Sequence, residues 1–164
     1  MLNVRKAQRA VLVHRSARSI IAEYLLKRLA EGRFSAHSAG SFPKGEVHRQ
    51  TLQLLTEAGH DVSNARSKSW DEFTSENAPR LDFIFTVCDN IANESCPVWP
   101  GQPITAHWGI PDPAAMVGSE AEIATAFTET YQLLNDRIRE FCRTPFAELD
   151  EPTLRERMVN IGRQ

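Results

Sequence analysis

Short apolar runs alternate along the chain with longer stretches whose apolar side chains recur at helical spacing. Ala10, Val11, Leu12 and Val13 form a continuous apolar run at 10–13, the mark of a strand buried on both faces of a sheet. Residues 18–31 place Ile21, Leu25 and Leu29 on one helical face, and Gly32 supplies the stop. Residues 33–39 alternate loosely and read as a second strand. Residues 47–58 make another amphipathic helix, with Leu54, Leu55 and Ala58 inward and Gly59 closing it. Residues 83–87 are a second continuous apolar run, hence a buried strand, and 104–107 a weaker fourth. Ser119 fits the N-cap of a long helix whose apolar face is Ile123, Phe127, Leu134, Ile138 and Phe141. Asp150 caps a final short helix carrying Leu154, Met158 and Ile161. Strands that alternate with helices predict an α/β fold with a parallel sheet covered on both faces. Ligands in such sheets bind at the carboxyl ends of the strands. The turn at Ser16, the loop at Cys88 and the loop at Asp112 each follow a strand, so all three are predicted at that edge.

At 164 residues the chain fits one domain, 1–164, long enough to bury about two-thirds of its unfolded surface. A net charge of −2 gives no electrostatic case for binding nucleic acid or an anionic membrane. No apolar run approaches the roughly 20 residues of a membrane span, and no apolar segment with a small-residue cleavage site reads as a signal peptide. Three cysteines, an odd number without a secreted framework, favour a reducing cytoplasm.

Three groups of residues carry candidate chemistry. Ser16-Ala17-Arg18-Ser19 lies between a strand and a helix start, where backbone N–H groups and the helix dipole favour an anion. Arg18 adds a forked donor suited to phosphate-like oxygens; plain helix capping is the competing explanation. Asp112, stiffened by Pro111 and Pro113, can act as a general acid or serve only as a turn residue. Cys88 and Cys96 are separated by a polar loop. A metal pair is thinly supported, with His107 the nearest further ligand; a redox pair fits better, and two idle thiols are the alternative. Cys142, on a core-packed helix, reads as an inert thiol, and Trp70, Trp99 and Trp108 as packing residues.

Beyond these local readings, SARSIIAE, SAGS, RSKSWDEF, DFIFTVCDN, CPVWPGQP and TAHWGIPDPA together resemble bacterial arsenate reductases built on the low-molecular-weight tyrosine phosphatase fold. The resemblance implies a three-layer α/β/α domain with a four-stranded parallel sheet, of the phosphotyrosine protein phosphatase I-like type. It implies that Arg18 binds the oxyanion within the oxyanion-binding turn Ser16, Ala17, Arg18 and Ser19, whose Ser16 and Ser19 shape the loop, that Asp112 is the general acid, and that Cys88 and Cys96 are a redox relay. The implied reaction reduces arsenate to arsenite, with electrons from thioredoxin or from glutathione and glutaredoxin and no bound cofactor or metal. A phosphatase acting on small or tyrosyl phosphates is the alternative. Phosphatases of this fold place aromatic residues after the Asp-Pro pair, however, and here Ala114, Ala115 and Met116 follow.

The family's anion loop opens on a nucleophilic cysteine, and none stands here. Counting back from Arg18 puts it at Leu12, and a shortened loop puts it as late as His14. The genetic code offers a reason. Codons can be chosen for residues 5–15 that, read one base later, spell Ala-Lys-Pro-Asn-Val-Leu-Phe-Leu-Cys-Thr and the start of a glycine codon. That is the family's first strand and loop opening. Residues 5–15 are therefore read as an out-of-frame translation restored just before Ser16, with an inactive oxyanion-binding pseudoenzyme as the rival. Because Arg5, Lys6 and Arg9 suit a buried strand poorly, a distorted first strand is expected.

Overall fold

The computed structural model describes the main chain of residues 8–13, together with residues 17–40, 45–88 and 98–164. Four strands, β1 (Gln8–Val13), β2 (Phe34–Ala39), β3 (Phe83–Thr86) and β4 (Ile104–His107), form one sheet in the order β2-β1-β3-β4. Every pairing is parallel. β1 starts at Gln8 rather than Ala10 and pairs regularly with both neighbours. Val13 lies opposite Ala39 on one side and Thr86 on the other. The main chain therefore lacks the expected distortion, because ladder hydrogen bonds are made by backbone groups that every non-proline residue carries.

The helices are α1 (Ala17–Leu29), α2 (Arg49–Glu57), α3 (Glu120–Arg143) and α4 (Glu151–Ile161). Alternation along β3 sends Phe83 and Phe85 to one face and Ile84 to the other. Phe83 and Phe85 join a core with Ile21 and Leu25 of α1, Leu134, Ile138 and Phe141 of α3, and Met158 and Ile161 of α4. Ile84 packs instead with Leu81, Phe73 and Trp99. The expected covering of both faces holds with a qualification. α2 packs on α1 through Ile20, Tyr24 and Leu55. Among the described residues the second face is closed by the 3-10 turn Trp70–Phe73 and by Trp99. The polar stretch between α2 and β3 has too few apolar anchors for a full amphipathic helix, so its Trp70 and Phe73 cover that face together with Leu81 and Trp99.

Helix ends follow local chemistry. Ser119 accepts from the Glu122 N–H at 3.3 Å while the Glu122 carboxylate accepts from the Ser119 N–H at 2.7 Å, a reciprocal capping box. Asp150 accepts from the Thr153 N–H at 2.9 Å and starts α4. Gly32 stands at φ 80°, the left-handed position that ends a helix and that glycine adopts without penalty. α1 departs from the simple amphipathic reading. Its first ten residues, from Ala17 to Leu26, are all buried, because the sheet lies on one side of it and α2 and α3 on others. Trp108 is fully buried and stacks on Phe85 with centroids 4.0 Å apart, as a packing residue.

Candidate functional site

Because the strands are parallel, the segments that follow β1, β3 and β4 all leave the same edge of the sheet. α1 begins there with Ala17, Arg18 and Ser19, all buried. Arg18 has 4% of its side chain exposed, and its Nη2 lies 3.4 Å from Asp112 Oδ2, whose side chain is 30% exposed. Its Nη1 donates to the Ile110 carbonyl. The Ile110 N–H in turn donates to the Val87 carbonyl at 3.3 Å, one residue before Cys88. A chain of contacts thus links α1, the end of β3 and the Asp112 loop, and brings Arg18, Cys88 and Asp112 to one edge. Asp112 also caps the 3-10 turn Pro113–Ala115, its Oδ1 accepting from the Ala114 N–H at 3.1 Å. The turn-residue reading therefore holds through Oδ1, while Oδ2 is the oxygen that faces Arg18.

Cys88 is half-buried, and Cys142 is buried with its thiol pushed up by that burial. Cys142 is accordingly poor as a thiolate. Ser16 and Cys96 lie outside the described residues, as does His14. Leu12 and Val13 stand in β1, where a nucleophile would be sought. His107 is exposed, with Nδ1 3.0 Å from Thr86 Oγ1. Among the described residues no three His, Cys, Asp or Glu side chains converge as a metal would require.

A buried ion cluster adjoins this edge. Glu23, one turn along α1 from Ser19, is buried and accepts from Ser38 of β2, from Lys27 at 2.6 Å and from Lys68 at 3.0 Å. Burial pushes its carboxyl up, but hydrogen bonds from Lys27 and Ser38 and the charges of Lys68 and Lys27 outweigh that and hold it below its usual value. Ser38 lies opposite Leu12 in the register, so this buried ion cluster adjoins the place of the expected nucleophile. Its one sequence signal is a glutamate set within Ile20, Ile21, Ala22, Tyr24, Leu25 and Leu26.

A family model described as low molecular weight phosphotyrosine protein phosphatase matches residues 10–153. An arsenate reductase of Oceanobacillus iheyensis is 30% identical over 129 residues, covering 79% of this chain and 89% of its own. The fold is similar to that of an Archaeoglobus fulgidus arsenate reductase, with TM-score 0.63 and 25% identity over 83% of this chain and 98% of that one. A thioredoxin-dependent arsenate reductase of Corynebacterium glutamicum aligns with TM-score 0.59 at 23% identity, over 84% of this chain and 61% of that longer one.

Proposed function

The chain belongs to the low molecular weight phosphotyrosine protein phosphatase family, and on that premise we propose that its lineage reduces arsenate to arsenite. The observation that carries the site is the approach of Arg18 to Asp112 at the sheet edge, 3.4 Å apart, with Arg18 held by the Ile110 carbonyl. In this reading Arg18 and the amides at the start of α1 bind three oxygens of a tetrahedral anion. Asp112 protonates the departing oxygen as a loop thiolate attacks arsenic. The Cys88 thiolate then attacks that sulfur. A disulfide forms, arsenic leaves with two electrons as arsenite, and Cys96 takes over the disulfide for a dithiol donor to reduce. The donor is thioredoxin or a glutathione and glutaredoxin system, and the setting is the reducing cytoplasm. No helix among the described residues is long and apolar enough to cross a membrane.

The written chain lacks the first sulfur of this relay. As it stands, it binds the oxyanion without turning it over. In a serine protease, loss of the nucleophile costs on the order of a millionfold in turnover. Phosphatase action is the second reading, favoured by the family's own chemistry. Against it, Ala114, Ala115 and Met116 are all exposed beyond the Asp-Pro pair and offer no ring to clamp a phenol.

Dithiol-dependent arsenate reduction and p-nitrophenyl phosphate hydrolysis, each measured on the written chain and on a frame-corrected one, separate the readings. Arsenate reduction by the corrected chain alone supports the reductase with residues 5–15 out of frame. Ester hydrolysis without reduction supports the phosphatase. A corrected chain inert in both assays, with the written one still binding phosphate, supports the pseudoenzyme. Sequencing the gene tests the frame directly, since a shifted frame that does not encode Cys-Thr-Gly removes that explanation.

A further inference from the structure

Arg137 of α3 stands outside the anion turn and is only 5% exposed. A buried guanidinium must place its donors on protein acceptors or bear a large desolvation cost. Its Nη1 donates to the carbonyls of Trp108 and Gly109, each at 3.2 Å, and its Nη2 to the main-chain oxygen of Gln164 at 3.1 Å. The next carbonyl along, that of Ile110, accepts from Arg18. Three successive carbonyls are therefore held by two guanidinium groups, one belonging to the anion site and one behind it. Beyond them Pro111 and Pro113 restrict the backbone, so displacement at Gly109 carries through to Asp112. The near end of the strap is fastened as well. The Trp108 indole N–H donates to the Met158 carbonyl at 2.9 Å. Gly162, just past α4, lies so close that a Cβ there would overlap the His107 carbonyl oxygen and the Trp108 ring.

We propose that Arg137 is a positioning residue for the oxyanion site. By holding the Trp108 and Gly109 carbonyls it sets where the Ile110 carbonyl stands, and that carbonyl orients the Arg18 guanidinium toward the anion and beside Asp112. The inference rests on reading Arg18 as the oxyanion ligand, and deepens it. A carbonyl on Nη1 fixes the plane of the fork. Loosening the strap lets the fork turn, and each charge-assisted hydrogen bond to the anion that is lost weakens binding by roughly 10-fold.

The test uses the chain as written, with Arg137→Met and Arg137→Lys, and inorganic phosphate as the probe. Phosphate affinity is measured by calorimetry, the rotation of the Arg18 guanidinium by nitrogen NMR, and the integrity of the fold by circular dichroism. The parent is expected to show separate Arg18 Nη signals. In Arg137→Met those signals merge and phosphate binds about 10-fold more weakly, while the spectrum of the folded state is kept. Arg137→Lys, which keeps the charge but has no fork to reach the two carbonyls and the Gln164 oxygen together, falls between. If the variants only melt earlier, with phosphate affinity and Arg18 signals as in the parent, the role is purely structural and the proposal is overturned. Should Arg137→Met not fold, Arg137→Lys decides by the same two readouts. A parent that ignores phosphate but whose Arg18 signals merge on substitution keeps Arg137 as the orienting group and refutes the oxyanion reading. A parent and variants that bind phosphate equally do the reverse.

Discussion

A guanidinium with five donors and almost no contact with water is costly unless each donor finds an acceptor. Arg18 meets part of that demand with the Ile110 carbonyl and the Asp112 carboxylate. Arg18→Lys keeps a charge but loses the fork, so phosphate affinity should fall by about 10- to 100-fold, as calorimetry would show. Glu23 poses the opposite problem, a carboxylate buried beside two ammonium groups. Its carboxyl in the folded chain lies below the ordinary 4.5, so at acid pH the unfolded chain binds the proton first. The stability this group contributes is therefore present above 4.5 and is lost as the pH falls through the lower folded value. Glu23→Gln should flatten that acid limb in urea unfolding at stepped pH. It should also cost about 3 kcal/mol at neutral pH, because Lys68, with 10% of its side chain exposed, is left without its carboxylate.

The helices depend on their ends and on how they lock together. Ser119→Ala removes the side-chain half of the α3 capping box and should cost about 1 kcal/mol, read as a lower melting temperature with phosphate binding unchanged. α1, α3 and the turn after α2 meet at a polar lock. Arg28 donates to Tyr131 and to the Ala58 carbonyl, His60 Nε2 lies 3.1 Å from the Tyr131 hydroxyl, and the His60 ring meets Tyr24 edge-on. Burial, then the Arg28 charge, pushes the His60 imidazole below its ordinary 6.5. The neutral ring is the form the fold prefers, so the stability it lends is present above 6.5 and drains away as the pH falls through the folded value. His60→Asn, which cannot be protonated there, should remove the pH slope in this range from urea unfolding curves.

At the scale of the molecule, two elements far from the anion turn stand behind the site. α3 supplies Arg137, and α4 supplies the Met158 carbonyl that fastens Trp108. The molecule has the frame of its family around a strand, β1, that carries no sulfur. A chain carrying Cys-Thr-Gly in place of the end of β1 is expected to turn over arsenate where the written one does not, without a change of sheet order, since β1 already pairs with β2 and β3 through its main chain. In that corrected chain, Asp112→Asn should lower turnover by about 100-fold or more while leaving phosphate binding nearly intact, measured as a split between kcat and KM.

The sequence by itself determined the elements, because periodicity, caps and turn residues act within a few positions of one another. β4 was read at the bounds it has, Ser119 and Asp150 cap their helices as expected, and the strand–helix alternation called for the parallel sheet. It also marked Arg18, Cys88 and Asp112 as residues bound for one edge. Only the tertiary structure decided what each of these touches. Arg18 meets a carbonyl 92 positions away, Lys68 reaches Glu23 across 45, and Arg137 reaches back 29 to Trp108. The physical reason is that a backbone carbonyl is present at every residue and so leaves no trace in composition or spacing. Which carbonyl a buried guanidinium finds is settled by how the helices seat on the sheet.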